Sequence, residues 1–179
     1  MTNATNRLVK LGMLTALSVL LVYLIHFPIF PSASYLEYDM ADVPILIGTF
    51  LFGPWWGLLL TAAVSLLQWL LVSPASGWVG AIMHFFATGT CALLAGLIYR
   101  RKHTRGGAVI ALLCGAVAQI VMMIPLNLIF TVHFNGAPQE VVLAMLPTAI
   151  IPFNAIKAGV NALLTFLLYK SAGKLLRLF

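Results

Sequence analysis

The sequence predicts an all-α membrane protein whose six transmembrane helices form one bundle. Of its 179 residues, 62% are hydrophobic and only 8% are charged, whereas soluble domains carry roughly 25% charged residues. The mean hydropathy is +1.05, and a chain this short has too little interior to bury so much apolar surface in water. The apolar segments are continuous, whereas the strands of a β-barrel alternate polar and apolar side chains.

Six apolar segments fill most of the chain, and prolines and glycines mark the turns between them. A helix needs about 20 apolar residues to cross the hydrocarbon layer, and only the second segment is short. We expect the first segment to be retained, because it is too long for a cleaved signal peptide. No room remains for a soluble catalytic domain, so residues 1–179 are expected to form one domain. The predicted segments are 8–27, 43–52, 55–72, 78–99, 108–132 and 141–169.

The charged residues predict the topology. With a cytoplasmic N-terminus, nearly all basic residues fall inside and all four acidic residues fall outside, as the positive-inside rule requires. Both termini are then cytoplasmic, which requires an even number of crossings. The net charge of +6 is thereby explained by topology and anionic lipid rather than by nucleic acid. The inside set is Arg7, Lys10, Arg100, Arg101, Lys102, Arg105, Lys170, Lys174 and Arg177, and the outside set is Glu37, Asp39, Asp42 and Glu140.

One basic residue has no place in this topology. Lys157 lies inside the sixth segment, where a lysine near the helix centre costs about 2.5–3.5 kcal/mol and usually faces a cavity. Asn154 and Asn161 lie on the same helix face, and Pro152 frees a backbone carbonyl beside them. The alternative is a structural lysine that snorkels to a nearby surface. The stripe favours a polar binding site within the membrane.

Asn127 is a second polar residue in an apolar segment, two positions after Pro125. By itself it is equally compatible with an interhelical hydrogen bond that holds the bundle together. In the predicted topology, however, it lies in the outer half of the bilayer, as Asn154 and Lys157 do. The three residues together predict one pocket there.

Two acidic residues precede the second segment. Asp39 and Asp42 are expected at the outer surface, and Asp42 stands where a helix N-cap is expected. For Asp42 a capping role and a ligand-binding role are equally compatible with the sequence. Gly48 and Thr49, further along the segment, would allow a partner or a ligand to approach closely.

Other polar residues and absent motifs narrow the function. His84 and Thr88 share a helix face, with Gln68 in the preceding segment, but no neighbouring histidine or cysteine gives metal-ligand spacing. The chain has no P-loop, HExxH or GxSxG motif, so neither ATP binding by a P-loop nor a familiar hydrolase site is predicted. Cys91 and Cys114 are expected to be packing thiols. These features favour a binding subunit that takes its energy from a partner, over a membrane enzyme or a structural subunit.

The sequence resembles the riboflavin-specific substrate-binding (S) component of energy-coupling factor (ECF) transporters over nearly its whole length. The strongest similarity is YDMADVPILIGTFLFGPWWG at 38–57. Supporting segments are GAIMHFFATG at 80–89, PLN at 125–127 and IIPFNAIKAG at 150–159. The first and last segments are fairly specific to the riboflavin branch.

The resemblance implies a vitamin pocket in the outer half of the bundle. Asn127, Asn154 and Lys157 match the residues that grip the isoalloxazine ring, whose pyrimidine edge alternates carbonyl acceptors with an N–H donor. Apolar walls are expected from Leu46, Phe50 and Met83. A lid would carry Asp39 and Asp42 to the ribityl hydroxyls. His84 stands where the family pattern leads us to expect a smaller amide, and Thr49 belongs to the same set of candidates.

The resemblance also implies partners in the cell membrane. These are a transmembrane coupling subunit and two cytoplasmic ATPase subunits, with riboflavin as cargo and no cofactor or metal. Gly12 and Ala16 form a small-residue pair on the first segment that would dock the coupling subunit, unless it packs inside this protein's own bundle. The remaining alternatives for the cargo are folate, thiamin, pantothenate or a phosphorylated flavin.

Overall fold

The computed structural model describes residues 3–30, 33, 36–72 and 77–176; Arg177, one of the predicted inside charges, lies outside this part. The chain forms seven α-helices and two short β-strands within these ranges, with a π-helical turn after α5 and another after α6. In chain order the elements are α1 (Asn3–Leu24), β1 (His26–Pro28), β2 (Glu37–Asp39), α2 (Asp42–Phe52), α3 (Pro54–Leu71), α4 (Gly77–Arg101), α5 (Arg105–Leu126), a π-helical turn (Asn127–Thr131), α6 (Gln139–Met145), a second π-helical turn (Leu146–Ile150) and α7 (Ile151–Leu176).

Five of the helical stretches are long and apolar enough to cross a membrane. They are α1, α3, α4, α5 with its π-helical turn, and the continuous stretch from α6 through α7. The second predicted segment is different, because α2 has only 11 residues. At 1.5 Å per residue it is about 16 Å long, roughly half the hydrocarbon thickness. The bundle therefore has five membrane-length helices and one short helix.

The structure is helical as predicted, except that β1 and β2 pair as a short antiparallel hairpin that was not predicted. His26 lies opposite Asp39 and Pro28 lies opposite Glu37. The phenol of Tyr38 and most of Leu36 are buried, so the hairpin packs onto the bundle rather than projecting from it. Because period-two patterning cannot be recognised in three-residue strands, the sequence does not reveal this pairing.

The short helix α2 lies at the centre of the bundle. Every residue from Asp42 to Phe50 is buried, and α2 contacts α1, α3, α4 and α7. Small residues permit this close packing: a Cβ on Gly57 or on Gly96 would collide with the side chain of Thr49. The predicted close approach at Thr49 is therefore an approach between helices.

The termini of several helices lie together at one end of the bundle. Phe50, near the end of α2, stacks on Tyr99 of α4 at 4.1 Å between ring centroids and meets Tyr169 of α7 at 5.7 Å. The guanidinium of Arg7, near the start of α1, lies 5.3 Å from the centre of the Trp56 ring. The start of α1 and the end of α7 therefore lie at the same end, and the hairpin lies at the opposite end.

Candidate functional site

A cavity of about 560 Å³ opens within the half of the bundle that carries the hairpin. Ligand pockets in proteins commonly measure about 300–1,000 Å³. One wall comes from α3 and α4, the facing wall comes from α5 and α7, and the hairpin covers the end. The lining is mixed, with apolar groups such as Val79, Met83 and Phe153 beside a larger number of polar ones. A cavity of this size and mixed lining suits a small ligand with both apolar and hydrogen-bonding groups.

The structure brings the three residues of the predicted pocket to this cavity. Asn127, Asn154 and Lys157 all line it, and all three are buried. Each asparagine donates from its Nδ2 to the carbonyl four residues earlier, Asn127 to Met123 at 2.8 Å and Asn154 to Ile150 at 2.8 Å. These bonds hold each amide in a fixed orientation on its helix.

Both asparagines follow a proline by two positions; Asn127 begins one π-helical turn, and Asn154 lies four residues after the other turn ends. Proline cannot donate the helical N–H bond, and π-helical turns within α-helices are frequent at functional sites. Pro125 precedes Asn127 at the end of α5, and Pro152 precedes Asn154 at the start of α7. The two irregular stretches thus present corresponding amides from neighbouring helices.

Lys157 is paired with Asp39 of the hairpin. Its Nζ donates to Oδ2 of Asp39 at 2.7 Å, and Lys157 is only 8% exposed. The other carboxylate oxygen of Asp39 accepts from the backbone N–H of Ala41 at 3.0 Å. The lysine therefore does not snorkel to a surface, and its charge ties α7 to the cover of the cavity.

Asn161, one turn deeper on α7, fastens the hairpin further. Its Oδ1 accepts from the Tyr38 hydroxyl at 3.0 Å, and its Nδ2 donates to the Asp39 carbonyl at 3.1 Å. Burial raises the pKa of Tyr38, so the phenol stays protonated and remains a donor. The predicted stripe thus divides in two, because Asn154 and Lys157 face the cavity whereas Asn161 holds the structure below it.

Asp42 lies beneath the cavity, bonded to residues that line it but not itself part of the described lining, and its predicted surface position is wrong. It is 1% exposed, and no side-chain capping bond is made at the start of α2, where Ala41 is the N-cap. Its Oδ1 accepts from Thr88 at 2.9 Å and from His84 at 3.3 Å. Its Oδ2 accepts from Gln119 at 3.2 Å and from Asn161 at 3.3 Å. Four donors from three helices therefore occupy the carboxylate, whose negative charge also suits the N-terminus of α2.

Asp39, also predicted at the surface, is 4% exposed.

His84 links Asp42 to the α3 wall. Its Nε2 lies 3.3 Å from Asp42 and its Nδ1 lies 2.7 Å from Oγ of Ser65. A carboxylate only accepts hydrogen bonds, so in a neutral imidazole the proton lies on Nε2 and Nδ1 accepts from the serine hydroxyl. His84 itself lines the cavity. The histidine that departs from the family pattern thus fixes the direction of the Ser65 hydroxyl.

Aspartate, histidine and serine in one chain are also the groups of a nucleophilic triad. Ser65, however, lies inside α3, which runs from Pro54 to Leu71. The neighbouring backbone N–H groups are committed to the helix and do not form an oxyanion hole, which such catalysis needs. The arrangement suits hydrogen bonding of a ligand better than acyl transfer.

The predicted apolar walls are only partly placed at the cavity. Met83 lines it. Leu46 and Phe50 belong instead to the core around α2, and Thr49 donates from its hydroxyl to the carbonyl of Ile45 at 2.8 Å. Because α2 starts at the floor of the cavity and runs away from it, its later residues lie below the site.

Several cavity residues were not recognised from the sequence. Gln119 lies eight residues before Asn127, a spacing that keeps both side chains on one face of a helix. That spacing could have identified Gln119 as a cavity residue from the sequence. Ser65 and Trp69 on α3, and Glu37 on the hairpin, also line the cavity. Nothing in the sequence distinguishes these three residues as binding residues. Serine and tryptophan are common in membrane helices, and the charge of Glu37 is already explained by the predicted topology.

Gly12 and Ala16 lie on the outer face of α1. Both are exposed, and nothing lies within 4 Å of the position of a Cβ on Gly12. An apolar groove beside them is formed with α3, by Val19, Leu20 and Leu67 among others. The small-residue pair therefore does not pack within the described part of this protein's own bundle.

The fold and the cavity define a helical membrane protein that binds a solute. The chain belongs to the family of substrate-specific components of ECF transporters, whose family model matches residues 6–169. Members of this family are binding subunits and not enzymes, and the protein is a multi-pass protein of the cell membrane.

Similar proteins include several riboflavin transporters. The riboflavin transporter RibU of Staphylococcus aureus (strain TCH60) is 30% identical, with 96% of this chain and 92% of the relative covered. RibU of Lactococcus lactis subsp. cremoris (strain NZ9000) is 26% identical, with 89% of each chain covered. The riboflavin transporter FmnP of Bacillus subtilis (strain 168) is 26% identical, with 91% and 90% covered.

Solved structures show the same fold. The S component of a bacterial ECF transporter superposes with a TM-score of 0.84 at 29% identity, covering 97% of this chain and 99% of that one. The S component for biotin from an ECF-type ABC transporter gives a TM-score of 0.61 at 21% identity, with 95% of each chain covered. The second likeness concerns the fold alone.

Proposed function

We propose that this protein captures riboflavin on the outer side of the membrane and delivers it for ATP-driven import. The observation that carries the proposal is the juxtaposition of Asn127, Asn154 and Lys157 at one cavity. Asparagine amides offer a donor and an acceptor each, and a lysine ammonium offers donors. This set complements the alternating acceptors and N–H donor of the flavin pyrimidine edge. The similarity to several riboflavin transporters supports the same cargo.

The proposed topology places the hairpin outside and both termini in the cytoplasm. The start of α1 and the ends of α4 and α7 lie at one end, together with Arg7, Arg100 and Arg101. The positive-inside rule assigns that end to the cytoplasm. The sixth crossing would be made by the short helix α2. The cavity would then open toward the outer leaflet side, where an extracellular vitamin arrives.

The proposed partners are a transmembrane coupling subunit and two cytoplasmic ATPase subunits. The exposed pair Gly12 and Ala16, with the apolar groove beside it, offers a smooth surface on which another helix would pack closely. Because no P-loop motif occurs in the sequence, the energy for import would come from the ATPase subunits.

Flavin binding by the purified chain tests the proposal. The full-length protein is expected to quench riboflavin fluorescence, and Asn154→Ala and Lys157→Ala are each expected to weaken quenching strongly. Val117→Ala, a change on the exposed face of α5, is the control and should bind as the wild type does. Retention of full affinity in both pocket variants would show that the site is misplaced.

Folate, thiamin and pantothenate are the alternative cargoes. Each is to be added in competition with riboflavin. The proposal requires that none of them displaces the flavin at comparable concentration, and that the wild-type protein binds the flavin at all.

A further inference from the structure

The side of the cavity formed by α3 has no role in the proposed contacts of Asn127, Asn154 and Lys157 with the flavin ring. Ser65, Gln68 and Trp69 line the cavity from α3. α4 packs between α3 and α5, and α5 packs against α7. The α3 wall therefore lies across the cavity from Asn154 and Lys157.

Gln68 has an unused hydrogen-bonding atom. Among the described residues, its Oε1 is one of two buried side-chain atoms that lack a hydrogen-bond partner. Leaving a buried polar atom unpaired is unfavourable, and such an atom in a native structure calls for an explanation. The Gln68 side chain lines the cavity, so its amide lies within reach of a bound ligand. A ligand group would satisfy it.

Ser65 presents an acceptor beside Gln68. The two residues are one helical turn apart, so their side chains lie on the same face of α3. In a neutral imidazole whose proton lies on Nε2, the Ser65 hydroxyl donates its proton to Nδ1 of His84, at 2.7 Å from Oγ. With its only proton used in this way, Oγ faces a ligand solely as an acceptor, through its two lone pairs. The wall therefore favours a ligand that brings hydroxyl donors.

We propose that Ser65 and Gln68 form a subsite for the hydroxyl groups of the ligand's flexible polyol chain, opposite the helices that hold the ring. This inference rests on the proposed function, because it takes the ring end to lie at Asn154 and Lys157. The polar carboxamide of Gln68 is then a specificity determinant rather than a packing residue. Trp69 supplies an apolar surface for the carbon atoms of the same chain.

A pair of ligands separates this role from a structural one. Riboflavin carries the ribityl chain, whereas lumiflavin has a methyl group in its place. Gln68→Leu is expected to weaken riboflavin binding about tenfold, the effect of one lost hydrogen bond, and to leave lumiflavin binding unchanged. Gln68→Glu keeps an acceptor and is expected to retain riboflavin binding better than Gln68→Leu. Gln139→Leu, the same change at the exposed start of α6, is the matched control.

The outcomes are distinct. Equal losses for both flavins, or no loss for riboflavin, overturn the subsite while leaving the proposed function intact. Failure of the wild type to bind either flavin overturns the proposed function and the subsite with it. Ser65→Ala, measured with the same two ligands, decides the matter if Gln68→Leu does not fold, and a selective loss for riboflavin is the supporting result.

Discussion

Lys157 and Asp39 form an ion pair that serves both the stability of the bundle and the cavity. Burial of either charge alone is costly, and loss of one partner leaves the other uncompensated. The 2.7 Å contact joins α7 to the hairpin, so the pair connects the cavity wall that carries Asn154 to the cover. Changing both residues is expected to restore most of the stability without restoring flavin binding.

Lys157→Met is expected to destabilise the empty protein by about 3–5 kcal/mol, because Asp39 is left buried and unpaired. The double variant Lys157→Met/Asp39→Asn should recover most of that stability but should not recover flavin binding. Thermal unfolding in detergent and flavin quenching measure the two effects. Recovery of binding in the double variant would show that Lys157 only neutralises Asp39.

Asp42→Asn tests the floor of the cavity. The carboxylate accepts from four donors, whereas the new amide nitrogen would face donors and leave them unsatisfied, at about 1–3 kcal/mol for each such group. We expect lower thermal stability in detergent. Glu140→Gln, at an exposed position on α6, is the control and should unfold as the wild type does. Wild-type stability of Asp42→Asn would mean that the network contributes nothing.

At the scale of elements, polar contacts among the described residues hold the hairpin at the cavity. Besides the Lys157 pair, the Tyr38 hydroxyl bonds to Asn161 at 3.0 Å, and Ser18 of α1 donates to the carbonyl of Ala41 at 3.0 Å. Opening of the cover would break these contacts, including the buried ion pair. That opening is expected to govern ligand release.

Tyr38→Phe removes one hydrogen bond from the cover, worth about 0.5–1.5 kcal/mol. The dissociation rate of the flavin should rise by up to about tenfold, with little change in the association rate. Stopped-flow fluorescence measures both rates. Tyr23→Phe, on the exposed face of α1, should leave them unchanged, and equal behaviour of the two variants would contradict a covering role for the hairpin.

The outer face of α1 is expected to act in assembly and not in binding. Ala16→Trp places a bulky ring on the small-residue face, so copurification with the coupling subunit and vitamin uptake should fall. Flavin binding by the isolated chain should be unchanged. Val117→Trp, on the exposed face of α5, is the matched control and should assemble normally. Normal assembly of Ala16→Trp would exclude this face as the docking surface.

At the scale of the whole molecule, the charges and the bundle geometry agree on one topology. A reporter that fluoresces only in the cytoplasm is expected to be bright at either terminus and dark when inserted after Gly136, in the loop between α5 and α6. A dark terminal fusion that is nevertheless made in full would overturn the proposed orientation. The same result would reverse the side from which the cavity is loaded.

Much of the site could be predicted because membrane interiors penalise polar groups. Lys157, Asn127 and Asn154 were visible in the sequence for that reason, and all three line the cavity. Leu46 and Phe50 were misplaced because their apolar side chains fit a pocket wall and a core equally well. Ser65 gave no signal, since its position depends on the contact of α3 with α4, which the sequence does not display.

The sequence by itself determined that the fold lies in a membrane, how many long apolar helices it has, and which three polar residues, Asn127, Asn154 and Lys157, share one side of the cavity. These properties follow from local hydrophobicity and from the cost of burying charge, which each segment carries alone. Only the tertiary structure decided that α2 lies at the centre of the bundle, that the lid before it contains a β-hairpin, and that Asp39 and Asp42 are buried. Those features depend on partners far apart in the chain, namely Lys157 for Asp39 and four donors for Asp42. Contacts between distant residues cannot be predicted from the local pattern of any one segment.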